Sequence, residues 1–162
     1  MKRLLPAALV AVAAVVAIMV TGCGSTSSTK PATATPSSTS GSGPVIKTRT
    51  TSLGTFLVDG QGRSLYLFEA DKPNVSNCPS GCLSIWPGFS AKVKPSAGGG
   101  VSAAKLGTAK AADGTTLVTY NGHPLYYYVA DQKPGDTTGQ GLDQFGAKWY
   151  VVKPSGSKID KD

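Results

Sequence analysis

The chain of 162 residues is 40% hydrophobic and 15% charged, with a formal net charge of +7. A chain of this length holds one ordinary domain with some additional segments. It contains one histidine and one glutamate, which excludes most histidine-based triads and histidine-rich metal sites.

The first 22 residues have the pattern of a secretion signal. Lys2 and Arg3 precede an uncharged apolar run over residues 4–20, and Val20-Thr21-Gly22-Cys23 closes the run with small residues before a cysteine. The tetrapeptide resembles the lipobox of bacterial lipoproteins. This resemblance implies that the signal at 1–22 is removed and that Cys23 becomes a lipidated N-terminus on the outer face of the cell membrane. An uncleaved signal-anchor helix is the alternative, although the run falls short of the roughly 20 residues that a span prefers.

Residues 23–44 follow the signal, and beyond Cys23 they consist of Ser, Thr, Pro, Gly and Ala with Lys30 as the only charge. Such a segment buries too little apolar surface to offset the chain entropy lost on folding, so we predict a disordered tether. All aromatic residues lie further on. We therefore place the folded domain at residues 45–154 and a flexible tail at residues 155–162.

The basic charge of the domain indicates which partners it could meet. Removal of the signal leaves a formal net charge of +5. A basic domain tethered outside the membrane favours an anionic cell-wall polymer, lipid headgroups or another envelope protein as its partner. A charge that serves solubility alone is the alternative. Nucleic acid is not expected, because the chain has neither a basic stripe nor a base-stacking motif.

An internal repeat with a constant offset of 60 residues fills the domain. Thr55–Asp71 aligns with Thr115–Asp131, and Trp86 and Trp149 close the two copies at an offset of 63. Each copy reads as a strand, a turn and a second strand, and Asn121-Gly122 is the strongest hairpin signal.

No sustained helical periodicity is present. The sequence therefore predicts a small all-β domain of two pseudo-equivalent hairpin-based repeats, with copies at about 45–91 and 104–154. Alternation along the second strand of each copy predicts two apolar faces. One face carries Tyr66, Phe68, Tyr126 and Tyr128, and the other carries Leu65, Leu67, Leu125 and Tyr127.

Both copies contain the motif Tyr-x-aromatic-x-x-Asp, formed by Tyr66, Phe68 and Asp71 and by Tyr126, Tyr128 and Asp131. On these residues, over about Gly54 to Val152, the chain resembles a family of predicted lipoproteins, a secreted repeat of unknown function. The resemblance brings no assigned activity. It implies a secreted or envelope repeat module rather than an enzyme.

Cys78 and Cys82 are the most distinctive residues of the domain. Outside the cytoplasm, with Cys23 lipidated, an even pair remains and a disulfide is expected. Positions i and i+4 of a helix hold the Cβ atoms too far apart for a bridge, so we expect a tight non-helical loop. The alternatives are a redox-active pair and a copper or zinc site completed by His123. His123 itself is expected to be a surface residue of a hairpin turn.

Asp71 and Asp131 follow the aromatic strand at matching positions. We expect each carboxylate to cap a turn by accepting a backbone N–H two residues on. The functional rivals are a glycosidase-like pair of carboxylates and a calcium loop from Asp131, Asp136 and Asp143. The concentrated aromatic residues are expected in the core, with Tyr127 the least certain, and an exposed ligand platform is the alternative.

These observations lead to a lipid-anchored envelope protein that acts as a non-enzymatic binding or scaffolding module without a cofactor. An extracytoplasmic redox or metal accessory protein that uses Cys78 and Cys82 is the alternative function.

Overall fold

A computed structural model describes residues 43–161, which form one compact unit. The predicted signal at 1–22, the predicted lipidation site Cys23 and the tether up to residue 42 lie outside the described residues. Among the residues described, no helix has the length and apolar character needed to cross a membrane.

Strands are the main regular structure of the described residues, and helix is almost absent from them, which confirms the all-β prediction. The helical segments are α1 (Ser80–Leu83) and a short 3-10 helix (Ala103–Lys105). The strands over residues 43–161 are β1 (Val45–Thr51), β2 (Gly54–Asp59), β3 (Tyr66–Phe68), β4 (Ser96–Ala97), β5 (Leu106–Lys110), β6 (Thr116–Tyr120), β7 (His123–Pro124), β8 (Asp143–Gln144) and β9 (Ala147–Val151). They form three small sheets in the orders β2-β1-β4, β3-β9-β8 and β5-β6-β7.

Each repeat copy begins with an antiparallel hairpin. Strands β1 and β2 pair in the first copy, and β5 and β6 pair in the second. The predicted turn at Asn121-Gly122 joins β6 to β7, with φ angles of 51° and 84°. Both positions need positive φ, which glycine adopts freely and asparagine tolerates, so this pair suits the tight turn.

The two copies are interlocked rather than placed side by side. Strand β3 of the first copy pairs with β9 of the second, and Phe68 lies opposite Trp149. In return, the Tyr127 and Val129 N–H groups of the second copy donate to the Pro87 and Ile85 carbonyls of the first. Each aromatic strand therefore completes its pairing with the tryptophan segment of the other copy.

The core consists of two clusters that follow the predicted alternation of the aromatic strands. One cluster contains Tyr66, Phe68 and Tyr126 together with both tryptophans. The other contains Leu65, Leu67 and Leu125, with Tyr127 packed against it. The period of two in the sequence thus separates the two apolar faces as expected.

Within the described residues, the segment after Pro154 differs from the expected flexible tail at residues 155–162. Ile159 is 3% exposed and packs into the first core cluster. Its N–H donates to the Val151 carbonyl at 2.9 Å, and its carbonyl accepts from Gln140 Nε2 at 2.6 Å. A single isoleucine in a polar segment does not predict burial from the sequence. In the structure, Ile159 extends the folded domain beyond Pro154.

Candidate functional site

The motif tyrosines and aspartates of the two copies are bonded to each other across the repeat boundary. The Tyr66 hydroxyl donates to Asp131 Oδ2 at 2.7 Å, and the Tyr126 hydroxyl donates to Asp71 Oδ2 at 2.8 Å. Burial, followed by the nearby carboxylate, raises the pKa of both tyrosines far above the ordinary value. These two reciprocal bonds brace the domain, so the motif serves the fold first.

The second oxygen of each motif carboxylate holds a loop. Asp71 Oδ1 accepts the Asn77 N–H at 2.6 Å, and Asp131 Oδ1 accepts the Thr138 N–H at 2.9 Å. The N–H groups lie six and seven residues on, not two as expected, because each aspartate spans a whole loop rather than one turn. Burial raises the pKa of Asp71 to about 6, against the lowering effect of the hydrogen bonds from Asn77 and Tyr126.

A stack of four aromatic rings lies in the core. Phe68 stacks on Trp149 with ring centroids 4.3 Å apart, Trp149 on Trp86 at 3.9 Å, and Trp86 on Tyr128 at 4.3 Å. The rings alternate between the copies. Both tryptophans are fully buried, so the stack belongs to the core and leaves only the half-buried Tyr128 near the surface.

Cys78 and Cys82 form a disulfide with their Cα atoms 5.6 Å apart. The expected non-helical loop is wrong in one respect, because Cys82 lies within the one-turn helix α1. Cys78 precedes the extended N-cap Pro79, and this allows the bridge to close from outside the helix. Both cysteines are fully buried and offer no thiolate to a metal in this oxidised form, and redox exchange needs an exposed sulfur. No group of three or more possible metal ligands occurs within residues 43–161, including around Asp136 and the predicted candidate His123.

A buried charged cluster lies where sequence analysis placed only a turn. Asp59 is 1% exposed, and its Oδ1 accepts the Gln61 and Arg63 N–H groups at 2.9 Å. Its Oδ2 accepts from Arg63 Nε at 2.8 Å and from the Tyr127 hydroxyl at 2.9 Å. The Arg63 guanidinium also lies 3.8 Å from the centre of the Tyr127 ring. In the sequence, Asp59 and Arg63 are only polar residues around a predicted turn, so the pattern gives no sign that they form a buried charged cluster with Tyr127.

Arg63 and Tyr127 lie between two cavities. A cavity of about 500 Å³ opens on the side of Gly43, Asp59 and Phe89. A second cavity of about 230 Å³, which we call the Arg63 cleft, is lined by Arg63, Ser64, Pro87, Tyr127, Tyr128, Val129 and Asp131. Tyr127, whose place in the core was the least certain from the sequence, is therefore half-buried between the second core cluster and these cavities.

A pseudo-equivalent cavity of about 270 Å³, which we call the His123 cleft, lies in the other half of the domain. It is lined by Leu67, Phe68, Glu69, Asp71, His123 and Lys158. Five of these positions match the Arg63 cleft at the repeat offset of 60. The pairs are His123 and Arg63, Leu67 and Tyr127, Phe68 and Tyr128, Glu69 and Val129, and Asp71 and Asp131. Each cleft thus combines the turn of one copy with the aromatic strand of the other.

The two clefts differ in how their charged groups are paired. His123 is partly buried, and burial lowers its pKa below the ordinary value, which favours the uncharged imidazole. Lys158 pairs with Glu69 at 2.8 Å and with Asp160 at 2.6 Å. The cation of each cleft is thus paired within the chain, Lys158 with two exposed carboxylates and Arg63 with the buried Asp59, and the Arg63 side chain is still 52% exposed.

The remaining surface is basic. Residues 43–161 contain thirteen Lys and Arg against eight Asp and Glu, a formal net charge of +5. Within this range, seven of the eight carboxylates bond to groups of the chain itself. Eight basic side chains in the same range have no side-chain hydrogen bond or ion pair, namely Lys47, Arg49, Lys72, Lys92, Lys94, Lys133, Lys148 and Lys153.

Arg49 on β1 connects this basic surface to the Arg63 cluster. A Cβ atom at Gly135 would lie 2.3 Å from Arg49 Nε, and one at Gly62 would lie 3.8 Å from Arg49 Nη1. The guanidinium thus rests on bare backbone next to Arg63. Lys47 shares the outward face of β1 with Arg49, because residues two apart in a strand point the same way.

Comparison with known proteins agrees with the repeat and with the secreted location. No curated protein and no solved structure matches the chain. A family model does match, at residues 47–89 and again at residues 107–153, so that more than half of the chain is covered in two copies. The chain belongs to the lipoprotein family described as a secreted repeat of unknown function.

Proposed function

We propose that this protein is anchored by a lipid on Cys23 at the outer face of the cell membrane and that its domain binds an anionic cell-wall polymer without catalysing a reaction. The lipobox-like residues before Cys23 and the secreted family support the location. The composition of residues 24–44 predicts a disordered tether, which would give the domain reach into the wall.

The unpaired basic surface is the observation that carries the proposed ligand. Eight cations of the described residues lack an internal partner, while almost all described carboxylates have one. A positive field that the chain does not neutralise attracts polyanions and raises their local concentration. On β1, Lys47 and Arg49 lie about 7 Å apart along the strand, a spacing at which neighbouring charges of a polymer can be met together.

The hydrogen bonds that the candidate carboxylates accept support a binding role over hydrolysis. Asp71 and Asp131, the candidate carboxylate pair, each accept a tyrosine hydroxyl and a loop N–H. Asp59 is similarly occupied by Arg63 and Tyr127. A general base needs a carboxylate oxygen free to take a proton, and in these three residues every carboxylate oxygen already accepts at least one hydrogen bond from the fold.

Retention on poly(glycerol phosphate) beads tests the polymer. We expect residues 24–162 to be retained at low salt, to elute as salt screens the exposed charges, and to pass neutral dextran beads unretained. The double variant Lys47→Glu/Arg49→Glu should elute at lower salt than Lys148→Glu/Lys153→Glu, which changes the net charge equally. Equal retention on dextran, or a native retention that salt does not weaken, would refute polymer binding.

Metabolic labelling with an alkyne fatty acid tests the anchor in cells. The full chain should take up the label and fractionate with membranes, whereas Cys23→Ser should lose the label and the cleavage before residue 23. An unlabelled native chain that remains in membranes would support the uncleaved signal-anchor helix instead.

A further inference from the structure

We propose that the Arg63 cleft is a recognition site for a single anionic sugar unit, in which Arg63 binds the acidic group and the cleft floor packs against the sugar ring. This inference rests on the proposed function, because it assigns a carbohydrate site to the same polymer-facing domain.

The cation of the cleft is held in place before any ligand arrives. Arg63 bonds Asp59 through Nε and Nη2, both at 2.8 Å, and stacks on the Tyr127 ring. Asp59 in turn is fixed by two backbone N–H groups and by the Tyr127 hydroxyl. The guanidinium side chain is nevertheless 52% exposed and has further N–H donors for a carboxylate or phosphate. An arginine ordered in this way loses little conformational freedom on binding.

The other walls match the remaining surface of a sugar. Pro87, the half-buried Tyr128 and Val129, which is 45% exposed, offer apolar contact to ring C–H groups. Asp131 Oδ1 accepts both the N–H and the hydroxyl of Thr138, whereas Oδ2 accepts the Tyr66 hydroxyl and has a second lone pair for a sugar hydroxyl. A volume of about 230 Å³ lies below the range of drug-sized pockets, so it suits one ring.

The His123 cleft provides an internal comparison. It has the same frame, but Glu69 stands where the Arg63 cleft has Val129, and His123 stands where the other has Arg63. Lys158 reaches across to Glu69 and lies 4.4 Å from the centre of the Tyr150 ring. The two frames therefore differ in the place of the ion pair: Asp59, the partner of Arg63, does not line the Arg63 cleft, whereas both Lys158 and its partner Glu69 line the His123 cleft.

Two sugars that differ by one acidic group form the test. N-acetylmuramic acid carries a lactyl carboxylate that N-acetylglucosamine lacks, and both are titrated into residues 24–162 by NMR. We expect N-acetylmuramic acid to bind at least tenfold more tightly, with amide shifts at the Arg63 cleft. Arg63→Gln and Val129→Glu should each weaken it at least tenfold. Val75→Glu is the matched control, because Val75 is 48% exposed and lines another cavity. The affinity of this variant for N-acetylmuramic acid should stay within twofold of the native value.

The outcomes separate this inference from the proposed function. Equal affinity for the two sugars, absence of a saturable shift, or equal weakening by Val129→Glu and Val75→Glu would overturn the sugar site. Val129→Glu leaves the Asp59 cluster intact, so it remains informative if Arg63→Gln fails to fold. Native-like retention of Val129→Glu on poly(glycerol phosphate) beads, with loss of sugar binding, would show that the cleft and the basic surface act separately.

Discussion

Removal of one hydroxyl tests whether the motif braces the domain. In Tyr66→Phe, Asp131 loses a charge-assisted bond of 2.7 Å, and the Gly139 N–H loses its acceptor at 3.3 Å in a buried setting. A hydrogen bond to a charged group contributes about 1.5–3 kcal/mol, and a stranded buried donor adds to the loss, so we expect the free energy of unfolding to fall by about 2–4 kcal/mol. Urea unfolding followed by the fluorescence of the buried tryptophans measures this value.

A matched substitution makes that prediction refutable. Tyr150 is also buried, but its hydroxyl forms no hydrogen bond within residues 43–161, so Tyr150→Phe should cost less than about 0.5 kcal/mol. The reciprocal Tyr126→Phe should cost about as much as Tyr66→Phe, because its hydroxyl donates to Asp71. If Tyr66→Phe matches Tyr150→Phe within error, the cross-copy bonds do not hold the two repeats together.

Two sets of substitutions and one titration test the loops. Replacement of Cys78 and Cys82 by alanine should cost about 2 kcal/mol in urea unfolding, since a bridge across a separation of 4 closes a very small loop; an unchanged midpoint would contradict this. Gly139→Ala should destabilise the domain by about 1–3 kcal/mol, because a Cβ there would lie 2.6 Å from an indole carbon, whereas Gly99→Ala meets nothing within 4 Å and should be tolerated. Asp71 should titrate near pH 6 by NMR of its carboxyl carbon. Because this pKa lies above the unfolded value of 3.8, the contribution of Asp71 makes the domain less stable as pH rises from about 4 to about 6. The loss is at most about 1–3 kcal/mol after discounting for partial exposure. A midpoint below 4.5 would refute it.

Local features of the fold were predictable because their causes are local. The alternation around Tyr66 and Tyr126 separates the two core faces, and Asn121-Gly122 supplies the positive φ angles of its turn. The disulfide followed from the parity of the cysteines outside the cytoplasm. The helix between the cysteines was missed, because one turn of four residues has no periodicity to detect.

The interlocking of the copies could not be predicted from the repeat. Identical offsets are compatible both with two separate units and with an exchange of strands, since pairing within and between copies uses the same residues. Only the fold shows that β3 pairs with β9 and that Tyr66 bonds Asp131 rather than Asp71. The Asp59 cluster was missed for a related reason, because Tyr127 approaches it from the other copy.

This exchange of strands also indicates where function can reside in a duplicated domain. Contacts between the copies occupy the residues that both copies share, above all the tyrosines, the aspartates and the two stacked tryptophans. Changing these residues therefore disturbs the fold. Positions at which the copies differ do not carry the contacts that recur in both halves. Arg63 against His123 and Val129 against Glu69 are such positions, and all four line the clefts at the repeat boundary. A motif that marks the family therefore indicates its scaffold, and recognition is expected at the neighbouring positions where the two copies have diverged.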